Sequence, residues 1–223
     1  MVADRYQNIY ANESSTYDEL VRREDVDGHV KQAVLGALRD ARRVVDVGAG
    51  TGRVTRWLLQ AGHDAVAVEP VEGMRTIGAA ALPGAVWHAG EASALPLPDH
   101  SVDAAVEGWA FGHTMSDPAN WEARSRAFIA ELRRVVRPGG VVVLIETAGT
   151  CVDQPTPPPH LLPLYGLWER LGFVSRDVTS DYLFSSPDEA VRLMGAFFGE
   201  SMATRVRERG LARVPEFTRV FVG

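Results

Sequence analysis

The chain is expected to be an α/β protein built on a doubly wound, Rossmann-like seven-stranded sheet, and three observations predict it. Short Val/Ala-rich runs alternate with stretches of helical apolar period at roughly twenty-residue intervals as far as Glu146. The first of these runs, Val44 to Val47, delivers Asp46 into Gly48-Ala49-Gly50-Thr51-Gly52, a turn whose alternate glycines let the backbone bend sharply into a helix. Finally, 223 residues with 46% hydrophobic and 23% charged side chains suit a single domain with one full-sized core.

The elements follow in order. Residues 16–25 and 29–40 are expected to be helices, the second amphipathic through Val30, Val34, Leu35 and Leu38. Strands are expected near 43–47, 65–69, 84–88, 102–107 and 141–146, with helices near 53–61, 71–80 and 121–136 between them. The segment Arg137-Pro138-Gly139-Gly140 is expected to be a turn into the fifth strand. Pro155, Pro157, Pro158 and Pro159 make 151–160 too proline-rich for regular structure. Beyond it come a helix near 160–171, a sixth strand near 173–180, a helix near 187–208 opened by Ser186-Pro187 and closed by Gly210, and a last strand near 212–221.

In an open α/β sheet ligands lie beyond the carboxyl ends of the strands, which gathers Asp46, Glu69, Glu91, Glu107 to Trp109 and Glu146 around one cleft. The glycine turn leaves backbone N–H groups and a helix N-terminus facing that cleft. Its spacing is not that of the dinucleotide fingerprint, because Arg53 stands where a third glycine of G-x-G-x-x-G is needed. The second strand, Ala65-Val66-Ala67-Val68, ends in Glu69, a carboxylate able to accept two ribose hydroxyls, with Pro70 closing the strand and Met74 on the next helix as an apolar wall.

Asp46-x-Gly48-x-Gly50-x-Gly52, Glu69, and the run Glu91-Ala92 followed by Leu95-Pro96-Leu97-Pro98-Asp99-x-Ser101-x-Asp103 resemble class I S-adenosylmethionine (SAM)-dependent methyltransferases of the small-molecule type. The resemblance is firm over about residues 40–150 and loose over the whole chain. It implies that SAM is the cofactor, with Asp46, Gly48, Ala49, Gly50 and Gly52 wrapping its methionine part, Glu69, Pro70 and Met74 at the ribose and adenine, Glu91 or the Ala92 N–H at the adenine amino group, and Gly108 and Trp109 at the end of strand four. Tyr17 falls where a tyrosine of similar enzymes approaches the methionine carboxylate. It divides the chain into cap helices over 1–40, a cofactor-binding core over 41–150, and a substrate side over 151–223.

The resemblance implies methyl transfer by in-line displacement to oxygen or nitrogen of a small molecule rather than to carbon. Strand four ends Glu107-Gly108-Trp109-Ala110 and lacks the Asn/Asp-Pro-Pro-Tyr/Phe of nucleobase- and glutamine-directed enzymes. His113, just past strand four, and Glu146, at the end of strand five, are the candidate general bases, ahead of His160 and Tyr182. A SAM-binding protein that uses the same pocket for non-methylating chemistry such as cyclisation is the alternative. An interaction protein with a decayed pocket is disfavoured, because Asp46, the glycines and Glu69 are all present.

Formal charge is −6, so no general attraction to nucleic acid or anionic membrane is expected. The single cysteine, Cys151, excludes an internal disulfide, and no histidine is spaced with it as a metal ligand set, so no metal is expected and a reducing cytoplasm fits. No targeting segment is read in the first thirty residues and no apolar run reaches the length of a membrane span. Residues 1–25 and 151–160 are expected to cover the cleft. The helix near 187–208 is an insertion whose Phe197 and Phe198 pack either over the substrate mouth or against a second copy in a homodimer.

Overall fold

The computed structural model describes residues 14–223. Residues 1–13 of the expected N-terminal cover lie outside it. The chain opens with helices α1 (Ser14–Val21) and α2 (His29–Ala37) and then alternates β1 (Arg43–Val47), α3 (Arg53–Gln60), β2 (Asp64–Val68), α4 (Glu72–Ala81), β3 (Val86–His88) and β4 (Val102–Gly108). A 3-10 helix (Phe111–Ser116), α5 (Trp121–Val135) and the long strand β5 (Val136–Thr150) follow. The remainder comprises a 3-10 turn (Pro159–Leu161), α6 (Leu162–Arg170), β6 (Val174–Thr179), β7 (Tyr182–Leu183), α7 (Pro187–Phe198), α8 (Glu200–Arg209), β8 (Arg213–Val214) and β9 (Glu216–Val222).

The main sheet has seven strands in the order β3-β2-β1-β4-β5-β9-β6. The first five run parallel and β9 runs antiparallel to both its neighbours. The order in which successive strands are laid down therefore reverses between β1 and β4, which opens the crevice at the carboxyl ends of those two parallel strands. The central strands are buried on both faces and read as continuous Val/Ala runs for that reason. Ile129 and Leu132 of α5 with Leu164 and Trp168 of α6 cover one face. Val30 and Val34 of α2 with Val54 and Leu58 of α3 cover the other.

Four expectations need correction. The Pro-Gly-Gly segment is no separate turn: Val102 pairs with Val136 and Ala104 with Val141, so residues 137–140 bulge out of one continuous strand opposite Asp103. The expected helix over 187–208 is two helices, because Gly199 at φ +100 and ψ 173 breaks it. The break lets α7 and α8 fold together so closely that a Cβ on Gly195 would lie 2.9 Å from that of Ala203. The last strand is interrupted at Pro215, and its first part, β8, leaves the main sheet to pair with β7. The proline loop, expected to lack a sheet partner, is tied down: Cys151 N–H donates to Pro215 O at 2.7 Å and Thr156 N–H to Ala148 O at 2.6 Å.

Candidate functional site

The turn after β1 shows why its glycines are needed. Gly48, Gly50 and Gly52 have φ of +72, +57 and +93, the left-handed region that other residues enter at a cost. A Cβ on Gly50 would lie 3.2 Å from Met74 Cε and 3.8 Å from Tyr17, filling the space between the turn, α4 and α1. Tyr17 also lines a small cavity together with Asp46, Gly48, Arg53, Gly108 and Trp109. The turn, the end of β4 and the N-terminal helix, distant in sequence, thus meet at one place.

Glu69 is buried, and its oxygens are already oriented: Oε2 accepts the Gly50 N–H at 2.8 Å and Oε1 accepts the Val71 N–H at 2.8 Å. A carboxylate oxygen accepts two bonds, so each keeps a lone pair for a further donor such as a ribose hydroxyl. Burial raises its pKa, and the two backbone N–H groups, with Arg75 beside them, act against that rise. Arg75 also anchors the corner by donating to the carbonyls of Glu69 and Pro70. Pro70 itself is exposed, as is Glu91 across the mouth, while Ala92 is half-buried.

Asp46 sits beneath the turn, 1% exposed, and accepts Thr55 Oγ1 at 2.6 Å. Burial pushes its pKa up to about 6. Its hydrogen bond runs to α3, so it braces the turn against the helix that the turn starts. Tyr17 packs on Phe197 of α7, ring centroids 5.6 Å apart, and burial raises its hydroxyl to about 12. Phe197 thus packs on α1, whose Tyr17 lines the cavity beside the glycine turn.

The sequence reading missed how Arg53 is used. Its guanidinium is ion-paired with Glu24, covers the Trp109 ring with Cζ 3.5 Å from the centroid, and is nearly buried. Tyr182 donates to the same Glu24 at 3.0 Å. Glu24 and Glu216 were not legible because neither lies in a motif. The one available signal was parity, since Glu216 shares the inward face of β9 with Thr218 and Val220.

The two candidate bases differ. Glu146 is 6% exposed, accepts the N–H groups of Thr147 at 2.9 Å and Gly112 at 3.2 Å, and burial pushes its carboxyl up to about 7. A side chain on Gly112 would collide with it. His113 lies on the accessible side of the 3-10 helix, although the packing around its ring still lowers its pKa. Glu107 is fully buried behind Glu146, accepts the N–H groups of Ala110 and Phe111, and is held well above the usual carboxylate range by burial and by Glu146. His160 is exposed. Among the described residues no cluster of His, Cys, Asp and Glu could hold a metal ion, and no helix is long and apolar enough to cross a membrane.

A seven-stranded sheet with one antiparallel strand, a glycine turn after β1 and an acid at the end of β2 define the Rossmann-like class I methyltransferase fold. Residues 45–144 match the family model described as methyltransferase domain. An uncharacterized methyltransferase of Mycobacterium tuberculosis is 44% identical over 105 residues, which are 47% of this chain and 40% of that protein. The chain thus spans less than half the length of this curated relative. Among solved structures, a SAM-dependent methyltransferase from Aquifex aeolicus aligns with a TM-score of 0.53 at 18% identity, over 89% of this chain and 93% of that one. The (4+2)-cyclase SpnF aligns with a TM-score of 0.56 at 18% identity, over 86% and 79%. These last two likenesses are of fold.

Proposed function

We propose that the protein transfers the methyl group of SAM to an oxygen or nitrogen of a small molecule. The observation that carries this reading is Glu69, buried at the end of β2 with one lone pair left on each oxygen, opposite the space kept open by Gly50. Gly48 to Gly52 and Tyr17 would hold the methionine part, Glu69 and Met74 the ribose and adenine side, and Gly108 and Trp109 the edge nearest the acceptor. SAM supplies an activated methyl on a sulfonium, so the protein has mainly to orient a nucleophile and exclude water, which supplies roughly 7–11 kcal/mol of barrier lowering. Glu146, near neutral pKa and enclosed, is better suited than His113 to accept the nucleophile's proton, which adds roughly 10²–10⁴-fold.

The net charge of −6 favours a small acceptor over nucleic acid. Whether the chain is one domain with caps over 1–40 and 151–223, forms a homodimer, and works in the cytoplasm are further parts of this proposal. Calorimetric titration tests the reading: SAM and S-adenosylhomocysteine (SAH) should bind, and NAD should not, because Arg53 occupies the third-glycine position. Glu69→Ala should weaken SAH by about ten- to a hundredfold, the loss of roughly 1.5–3 kcal/mol of charge-assisted bonds. NAD affinity equal to that for SAM, or unchanged SAH affinity in folded Glu69→Ala, overturns it.

A further inference from the structure

The glycine turn has few backbone donors left for an anion. The N–H groups of Gly48 and Ala49 both donate to Val68 O, at 2.9 and 3.2 Å, that of Gly52 donates to Ala49 O at 2.8 Å, and that of Gly50 is given to Glu69. These groups, expected from the sequence to face the cleft, are spent within the fold. The cation beside them is not. Arg53, the first residue of α3, is the only lysine or arginine among the described residues that line the small cavity next to the turn. A guanidinium carries five N–H donors around the rim of one plane. One face of that plane in Arg53 covers the Trp109 ring, and Nη1 donates to Glu24. Among the described residues no acceptor engages Nε or Nη2, so the group is held in one orientation by two partners and keeps donors unused.

The other ionisable side chains lining the cavity offer no substitute. Asp46 is an acid, and Tyr17, whose hydroxyl burial raises to about 12, is a neutral donor at working pH. An anionic group entering this space therefore needs Arg53 to offset the loss of its water. We propose that Arg53 receives the carboxylate of the cofactor's methionine part, through the donors that Glu24 leaves, and so makes that carboxylate the feature by which the site selects its cofactor. This inference rests on the methyltransferase reading and deepens it, assigning the charge of the ligand's amino-acid end to a residue outside the glycines. The methionine part also carries an ammonium, so its arrival brings no net charge beside Asp46. Arg53 then bridges two carboxylates, the ligand's and that of Glu24, which couples the bound cofactor to the segment that follows α1.

The test uses the full chain and calorimetric titration with three ligands: SAH, its decarboxylated analogue, which keeps the ammonium, and 5′-methylthioadenosine, which keeps only the nucleoside end. Wild type should bind SAH about ten- to a hundredfold more tightly than the decarboxylated analogue. Arg53→Met combined with Glu24→Gln removes the cation without orphaning the acid, and it should abolish that preference while leaving the affinities for the other two ligands as in wild type. Glu24→Gln alone should keep the preference, and Arg53→Lys should keep part of it, as a point charge without the fork. Equal weakening of all three ligands in the double variant would mean that Arg53 only shapes the turn, and an undiminished preference would mean that another group holds the carboxylate; either overturns the inference. If the double variant does not fold, Arg53→Lys decides alone, and a preference equal to that of wild type overturns it. Wild type that binds SAH and the decarboxylated analogue equally overturns this inference only, whereas wild type that binds none of the three overturns the methyltransferase reading as well.

Discussion

Arg53 lies over Trp109, guanidinium carbon 3.5 Å from the ring centroid, and Trp109 is held at φ +57. A bulky residue in that region carries roughly 1–3 kcal/mol of strain and persists only where its surroundings determine it. Here its N–H donates to Ile145 O at 2.8 Å and its ring is covered by Arg53, so the end of β4 and the start of α3 set one another's position. The same guanidinium binds Glu24, which ties the segment after α1 onto the sheet.

Removing the cation should therefore be costly. Arg53→Met leaves Glu24, whose side chain is 3% exposed, as an unpaired buried carboxylate and should lower stability by about 3–5 kcal/mol. Adding Glu24→Gln to that variant should recover part of the loss, since the orphan charge is then gone. Urea denaturation of the wild type, both single variants and the double variant measures the coupling. A double variant no more stable than Arg53→Met would show that Glu24 does not depend on this partner.

Glu146 should leave a signature in the pH dependence of stability. Its carboxyl rises from 4.5 to about 7 on folding because burial disfavours the charged form. Between those values the folded state holds a proton that the unfolded state has lost. Stability from this group is thus fully present below pH 4.5, falls as pH rises, and is gone above about 7, a change of about 3 kcal/mol. Glu146→Gln cannot ionise, so its stability should fall less steeply than wild type between pH 5 and 7. Parallel curves for the two proteins would place the titration elsewhere.

The sheet, the glycine turn and Glu69 were legible in the sequence because each depends on neighbours a few residues away: apolar runs for buried strands, glycines for positive φ, an acid at a strand end. The chamber around Arg53 was not. Glu24 and Glu216 come from near the two ends of the described chain and meet only after β9 has been inserted between β5 and β6. The break at Gly199 was hidden for a similar reason. A glycine within a helical period is tolerated as often as it ends a helix, and the packing of Gly195 against Ala203 decides it. Glu146 could be placed at a strand end because strand five is local, but the rise of its carboxyl to about 7 depends on burial, which the bonds from Thr147 and Gly112 oppose.

Gly78 gives a test of packing in which the usual sign is reversed. It lies inside α4, where alanine ordinarily stabilises a helix by roughly 0.5–1 kcal/mol. Its missing side chain is where the Trp87 indole of β3 lies, and a Cβ there would overlap the ring. Gly78→Ala should instead destabilise by about 1–3 kcal/mol, the usual cost of overpacking. Trp87→Leu introduced into that variant should relieve the overlap. Thermal denaturation of the four proteins decides, and a stabilising Gly78→Ala would mean that the ring moves aside freely.

The last prediction concerns the covers. Residues 1–25 and 151–160 are expected to close over the cleft, and the described part of the N-terminal segment is joined to α7: the Tyr17 ring packs at a tilt on Phe197, Arg192 of α7 pairs with Glu19 at 2.6 Å, and Arg23 pairs with Glu189 at 2.7 Å. Leu20 of α1 joins the apolar cluster formed by Leu193 and Met194 of α7 and Val206 of α8. Helix α1 and the α7–α8 pair should therefore move and order as one body, whereas the proline loop, fixed to β5 and β9 by backbone bonds, should respond little. Hydrogen exchange with and without SAH reads each segment separately. Ligand should slow exchange in 14–21 and 187–198 together, by similar factors, because Tyr17 lines the same cavity as the glycine turn. Protection confined to the turn and Glu69 would mean that the sheet alone forms the pocket, and protection of 151–160 without α1 would assign the closing element to the opposite side of the cleft.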